Sequence, residues 1–317
     1  MYTTLSTDSA RDNIQDRVSA MLADSWASRV AVKTGDLDPS RYYDKSIPDY
    51  PPHLVPFRDD PRYRALDPET RQRILAGAWI AYNEKTIDIE MSVTAPACAL
   101  LLKGAFPGLD TLASKRLIAQ TQIDEQFHVL MCLEACLLAR KMHDLEALAI
   151  PRSLVTQELM KALSNAARPR DAELIRVAFA AVAEVTVNQY LNILADDRDI
   201  QPFNRETTAL HRKDESTHHD IYKGMVKSVF GNFTGHDRAV FIQALTAGLE
   251  AFVKIDFGAW REILRFLDIE DADAIIDACL AANKSKRIVR DYSGFRSLLA
   301  EIGVQESEIA FEFDSSP

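Results

Sequence analysis

The sequence has no surplus of positive charge, no cysteine framework and no long uninterrupted apolar run, and each absence removes a class of function. With 37 Lys and Arg against 47 Asp and Glu the formal net charge is −10, and a broad nucleic-acid surface would need the opposite sign. The four cysteines, Cys98, Cys132, Cys136 and Cys279, form neither a disulfide pattern nor a zinc-site pattern. Cys132 and Cys136 are one helical turn apart with no second pair to complete a site. A reduced, cytoplasmic compartment is therefore expected. The N-terminus shows no basic stretch followed by an apolar core, so no signal peptide is expected. No apolar run approaches the ~18 residues needed to span a bilayer, which excludes a membrane partner at this level. Strand signals are also missing: there is no alternating run of any length, no repeat of roughly 20–50 residues and no low-complexity tract.

What is present is helical. Of 317 residues, 47% are hydrophobic and 26% charged, ordinary for a soluble globular chain. Residues 9–33 carry helical composition. Pro39, Pro48, Pro51, Pro52, Pro56, Pro61 and Pro68 then crowd one region, which reads as an extended arm packed on the body, because proline removes donors and biases its predecessor away from helix. Asp67-Pro68-Glu69 is a helix start, with an N-cap, proline at the first position and an acid in the first turn. That helix is expected to run to about Thr94, where Pro96 disturbs it. Long helices follow from about Thr111 to His143, through the segment after Pro169, and over roughly 204–229, with a shorter one near 152–167. Residues 236–267, 270–282 and 291–302 also read as helix, and the acidic tail 306–317 as loose at its end. The expectation is one mainly helical domain, divided into an N-terminal helix and arm (1–66), a central set of long helices (67–230) and C-terminal helices (231–317).

The most informative acid is Glu184. It is the one charge in Val177–Val187, a segment that looks buried all round. An isolated carboxylate there costs several kcal/mol unless it is protonated, paired or bound to metal. His211, Glu215 and His218 fall at i, i+4 and i+7, one stripe on one helix face. Two imidazoles and a carboxylate on one stripe suit a metal ion. Asp124-Glu125-Gln-Phe-His128 repeats the core, Asp-Glu-x-x-His. A single such motif reads equally well as a solvated face with incidental histidines; two copies ask for a joint explanation. In order the chain offers Glu90, then Glu125 and His128, then Glu184, then His211, Glu215 and His218. A single Glu from each of two helices plus Glu-x-x-His from each of the other two is the ferritin-like two-metal carboxylate pattern. Four carboxylates against two divalent ions leave a neutral core, which removes the burial problem at Glu184. Asp124 and Asp214 precede the motif glutamates, and each is placed to accept the free N–H of a histidine on the opposite helix.

With these residues on the page, the chain resembles the non-haem di-iron N-oxygenases typified by the p-aminobenzoate N-oxygenase of aureothin biosynthesis. The resemblance rests on Pro48-Asp-Tyr-Pro51, Val55-Pro-Phe57, Trp79-Ile-Ala-Tyr-Asn-Glu84, Gly104-Ala-Phe-Pro-Gly108, the seven ligand-type positions and Val289-Arg-Asp-Tyr-Ser-Gly294. It implies an all-α, ferritin-like four-helix di-iron core with additional helices, usually as a homodimer. It implies two Fe ions held by Glu90, Glu125, His128, Glu184, His211, Glu215 and His218, with Asp124 and Asp214 behind them. It further implies O2 activation at the reduced pair and oxidation of a small primary amine to the hydroxylamine or beyond. An external electron donor is expected, since no flavin or nicotinamide motif is visible. Where the family pattern has Arg this chain has Lys85, a cation without the planar fork that grips a carboxylate. Tyr82, Asn188 and Cys132 join Lys85 as candidate substrate contacts. His53 reads as a surface residue, and His143, His219 and His236 lie off the pattern. The competing readings are a di-iron oxygenase or desaturase acting at carbon, an iron-storage protein, and a structural protein whose ligands are relics.

Overall fold

The computed structural model describes residues 14–31, 43–282 and 287–313. The outer ends of the first expected helix (9–13 and 32–33), Pro39 and the last tail residues 314–317 lie outside them. The helices are α1 (Ile14–Arg29), α2 (Pro61–Ala65), α3 (Pro68–Ile89), α4 (Ala95–Leu102), α5 (Leu112–His143), α6 (Leu154–Ser164), α7 (Pro169–Ala195), α8 (Pro202–Phe230), α9 (Gly235–Val253), α10 (Phe257–Phe266), α11 (Ala272–Ala282) and α12 (Ser293–Ile302). No strand occurs among the described residues.

Helix starts follow the local chemistry. Asp67 accepts the Thr70 N–H at the head of α3, and Thr111 accepts the Ser114 N–H at the head of α5. Asp144 closes α5 in the left-handed region at φ 53°. Two pairs of long helices make the frame: α3 lies along α5, and α7 along α8. The pairs meet where α5 faces α8 and where the turn after α3 faces α7. α9 covers α7, α1 packs on α5 and α8, and α12 closes the far side of α7 and α8. This makes α7 the central helix. By length and composition Pro169–Ala195 is apolar enough to cross a membrane, yet 72% of that window is buried inside the protein. Its apolar character comes from neighbours on every side.

Two expected helices differ from the structure. The one carrying Glu90 does not stop near Thr94; it passes through one π-helical turn, Glu90–Thr94, and continues as α4. Proline in an ordinary helix loses a hydrogen bond and strikes the carbonyl four residues back. Widening the preceding turn, with Ala95 N–H donating to the Glu90 carbonyl, seats Pro96 in the first turn of a new segment instead. π turns of this kind are frequent at functional sites, and this one carries Glu90. The span read as one helix over 236–267 breaks after Val253. Lys254 is extended, and the Asp256 side chain caps α10 by accepting the Ala259 N–H at 3.2 Å.

The arm is extended with a short turn at Pro52–Leu54, and its Tyr50, Val55 and Phe57 are buried in the main core. Its anchor is a buried cluster. Tyr43 Oη donates to Asp49, His143 Nε2 lies 2.8 Å from Asp49 Oδ2, and Asn204 Nδ2 donates to Asp49 Oδ1 at 3.0 Å. His143, off the metal pattern, thus ties the arm to the end of α5.

Candidate metal centre

The seven ligand-type residues stand on four elements and converge on one buried point between the helix pairs. Glu90 comes from the π turn, Glu125 and His128 from α5, Glu184 from α7, and His211, Glu215 and His218 from α8. All seven are buried. Glu90, His128, His211 and Glu215 bring one ligand atom each to within 4.8 Å of one another, as do Glu125, His128, Glu215 and His218, and Glu90, Glu125 and Glu184. His128 presents Nδ1, 3.0 Å from Glu125 Oε2 and 3.2 Å from Glu215 Oε1. His218 also presents Nδ1, 3.2 Å from Glu125 Oε1 and 3.4 Å from Glu215 Oε1. His211 presents Nε2, 3.2 Å from Glu215 Oε1 and 3.9 Å from Glu90 Oε1. Glu125 and Glu215 therefore lie between the groups, with Glu90 towards His211 and Glu184 towards His218.

The outer nitrogens of two histidines meet the two aspartates across the helix pair. His218 Nε2 is 3.3 Å from Asp124 Oδ2, and His128 Nε2 is 3.8 Å from Asp214 Oδ2. A carboxylate behind an imidazole fixes which nitrogen keeps its proton and leaves the other to a metal.

Electrostatically the cluster is frustrated without cations. Burial, followed by the charges of Glu125, Glu184 and Glu215, pushes the Glu90 carboxyl well above its ordinary range. Burial, Glu125 and Glu215 do the same to Glu184. Burial pushes Glu125 and Glu215 up as well, but His218 overrides it and holds both low. Burial opposes protonation of His128, while Asp214 and Glu125 outweigh it and raise its pKa to about 9. Burial and the neighbouring His128 lower His211. Protons on glutamates and imidazoles thus stand where metal charge would otherwise be.

The orphaned atoms test whether metals fit. Glu90 Oε2, Glu125 Oε1, Glu184 Oε2, Glu215 Oε2 and His218 Nδ1 are buried and make no hydrogen bond. Buried polar atoms are normally satisfied, because each one left alone costs about 1–3 kcal/mol. Several such atoms, all metal-ligand types and all turned to one point, fit a pair of cations.

Beside the cluster is a cavity of ≈ 30 Å³, lined by Tyr82, Lys85, Ile89, Glu90, Glu184, Val187, Tyr190, Glu215 and Phe252 among others. A second cavity, ≈ 50 Å³, shares Tyr82, Lys85 and Tyr190 with the first and runs outward past Tyr50, Asp256 and Trp260. Lys85 Nζ sits 3.4 Å from the Phe252 carbonyl and 5.0 Å from the Phe252 ring centre. Burial lowers its pKa to about 8, with Asp256 opposing the shift. Tyr82, also on this wall, has a buried hydroxyl with no hydrogen bond. Two other candidates lie elsewhere. Asn188 lines an open cleft with Gln189, His219 and Gly294. One turn on from Glu184 is about 40° round the helix in one sense, and three residues on is about 60° in the other; the cavity is on the second side, so Val187 and Ala183 line it. Cys132 is buried near the Tyr82 hydroxyl but does not line the cavity.

Several residues here carried little or no sequence signal. Thr94 Oγ1 donates to Glu184 Oε1 at 3.0 Å, Tyr190 and Phe252 wall the cavity, and Trp26 reaches Asp124 from 98 positions away. Thr94 alone had a clue, since it sits about one turn from Glu90. His53 is on the surface beside Asp197, and His236 pairs with Asp171.

Four long helices with carboxylates and imidazoles turned inward define a ferritin-like, two-metal carboxylate protein. The sequence pattern of the family described as p-aminobenzoate N-oxygenase AurF matches residues 12–303. The 4-aminobenzoate N-oxygenase of Streptomyces thioluteus is 32% identical over 299 residues, covering 93% of this chain and 89% of the relative. The chain belongs to the p-aminobenzoate N-oxygenase family. It is an enzyme, a di-iron N-oxygenase that uses O2 to oxidise an amine nitrogen. Neither reaction at carbon nor iron storage finds support in these comparisons.

Proposed function

We propose that the chain binds two irons through Glu90, Glu125, His128, Glu184, His211, Glu215 and His218 and oxidises the amine of a small aromatic amino acid such as an aminobenzoate. The observation that carries this reading is the cavity that joins the ligand cluster to Lys85. A substrate with an amine at one end and a carboxylate at the other matches that axis. Lys85 supplies the cation for the carboxylate, in surroundings where water competes little. The cavity of ≈ 30 Å³ has room for about one water, so the ring would enter by outward movement of the apolar walls Ile89, Val187 and Phe252. Glu90, Glu184 and Glu215 lie at the other end, where the nitrogen would rest. The Tyr82 hydroxyl is a spare donor on the same wall. The irons supply O2 activation; the protein's work is to hold them, to exclude bulk water and to align the amine. The nitrogen must arrive with its lone pair. An arylamine is neutral at pH 7, whereas an aliphatic amine would first have to lose a proton in the pocket. Hydroxylamine is the first product, and further rounds lead to nitroso and nitro compounds.

The enzyme takes electrons from an external donor and works in the cytoplasm, consistent with its four free cysteines. The described residues from Tyr50 to Phe311 form one folding unit, a reading supported by the single apolar cluster that spans them. It pairs as a homodimer through α5. Ile123, Leu130, Leu133 and Leu137 are exposed on that helix at heptad-like spacing, on positions turned away from the ligands. Leu137→Glu should then give monomers by ultracentrifugation.

The test of the reaction mixes reduced, iron-loaded protein with O2 and each amine of a panel, and reads product masses. Oxygen added at nitrogen of a carboxylated arylamine is expected. Oxygen at carbon, or preference for amines without a carboxylate, would overturn the reading.

A further inference from the structure

α1 offers no ligand-type residue to the cluster, yet it touches the residues behind it. The Trp26 indole N–H donates to Asp124 Oδ1 at 2.8 Å. Ala31, two residues past the end of α1, donates its backbone N–H to Asp214 Oδ1 at 2.7 Å. The remaining oxygens of these two aspartates face His218 Nε2 and His128 Nε2. Both aspartates are fully buried; Asp124 is held by the indole on one oxygen and by His218 Nε2 at 3.3 Å on the other, while Asp214 accepts from Ala31 and faces His128 Nε2 at 3.8 Å, beyond hydrogen-bond distance. Gln120 Nε2, donating to the Ala23 carbonyl at 3.0 Å, seats the helix against α5 in the same region.

We infer that Trp26 is a positioning residue for the metal site: its N–H fixes the Asp124 carboxylate, and Asp124 in turn orients His218. The inference rests on the ligand set proposed above. A carboxylate held at one oxygen has its second lone-pair direction set, and that direction determines the ring plane and the tautomer of the imidazole it meets. Without the indole donor, Asp124 is free to rotate, and His218 no longer presents Nδ1 at a fixed angle. The backbone N–H of Ala31 holds Asp214 behind His128 in the same way, a contact that no side-chain substitution removes. The two imidazoles therefore differ in how they can be disturbed.

The experiment is an anaerobic Co(II) titration of the full-length protein, followed by visible absorption, which reports ligand geometry. Trp26→Phe keeps the ring and removes the donor. It is expected to weaken one of the two Co(II) equivalents about tenfold, in line with supporting residues at other metal sites, and to alter the absorption bands, while circular dichroism is unchanged. Arg116→Ala removes an exposed ion pair to Asp24 on the same helix (2.7 Å) and should leave both equivalents alone. In the Asp124→Asn background, Trp26→Phe should add little, because its route to the metal is already cut. Unchanged affinity and bands in Trp26→Phe would overturn the inference. So would an equal loss in Arg116→Ala, which would mean that docking of α1 is all that counts, or a full additional loss on top of Asp124→Asn. Should Trp26→Phe fail to fold, the wild-type indole 15N–H resonance of Trp26 serves instead: it is expected to shift on Co(II) loading, and a signal indifferent to metal would overturn the assignment. Wild-type protein that takes up no Co(II) would sink the ligand set itself, a different result.

Discussion

The bundle contains two clusters of buried carboxylates and imidazoles, and they are built on opposite principles. At the arm, Asp49 meets His143, Tyr43 and Asn204; no atom of Asp49, His143 or Tyr43 is orphaned, and Asn204 Oδ1 is the single buried atom of this cluster without a hydrogen bond. Between α5 and α8, Glu90, Glu125, Glu184 and Glu215 face three histidines, and each of the four carboxylates keeps an oxygen that no hydrogen bond satisfies. Asp49, His143 and Asn204 are as buried as the ligand-type residues, with Tyr43 half-buried beside them, but the arm leaves one orphaned atom where the other cluster leaves one on every carboxylate. A closed polar network stabilises a fold by matching every donor to an acceptor. An open one is tolerated only if something else completes it, and here four carboxylates crowd together at the expense of the metal-free protein. Partners and distances alone mark the arm cluster as structural and the cluster between the helix pairs as suited to metal ions.

The largest effect that would test this contrast is at Glu184. Glu184→Gln retains shape and the acceptor for Thr94 but removes the proposed ligand carboxylate. Activity is expected to fall at least about 100-fold, since even residues supporting a ligand cost 10–100-fold, and bound iron should drop from two to one per chain. The metal-free variant should melt at a higher temperature than metal-free wild type, because a raised, repelled carboxyl is gone. Iron analysis and calorimetry measure both. A metal-free variant that is markedly less stable would mean that Glu184 is an ordinary structural acid.

The converse substitution is at the arm. Asp49→Ala should cost about 3 kcal/mol or more, as expected when one partner of a buried charged network is removed, read from the urea midpoint. Iron bound per folded chain should stay at two. Loss of iron with little change in stability would erase the distinction between the clusters.

Legibility in the sequence followed the range of the interactions. Glu125 with His128, and Glu215 with His218, are three residues apart on continuous helices, so their shared face followed from helix geometry alone. The caps at Asp67 and Thr111 are equally local. The π turn at Glu90 was harder, because Pro96 reads as a stop and only the packing of Glu90 against α7 makes the widened turn worthwhile. The break at Asp256 hid in an otherwise helical run. Asn188 and Val187 were distinguishable only by which side of Glu184 the cavity occupies, and that is set by α3. The contact of Trp26 with Asp124 joins segments 98 positions apart; nothing in either segment announces it.

The smallest effect concerns the residue between the two cavities, Lys85, and asks whether this half-buried charge belongs with the structural or the functional kind. Among the described residues its ammonium meets a carbonyl at 3.4 Å and aromatic faces, with Asp256 as its opposing charge. That is the incomplete arrangement of the metal cluster rather than the nearly closed one of the arm. Burial disfavours the charged form and brings the pKa down to about 8. Below that pH the lysine is cationic and anchors a carboxylate; above it the amine is neutral and the anchor is lost. The KM for an aminobenzoate should therefore rise as pH climbs through about 8, by up to roughly tenfold per pH unit at the limit, while kcat changes less. An arylamine without a carboxylate should show no such rise. Lys85→Arg stays charged throughout, so its KM should be flat over the same range, and Lys85→Met should show at every pH the weak binding that wild type reaches only at high pH. Steady-state kinetics from pH 6.5 to about 9.5 with both kinds of amine measures all of this. A KM that ignores pH for the carboxylated substrate in wild type, or a Lys85→Met enzyme that binds it normally, would return Lys85 to the class of charges with no part in binding.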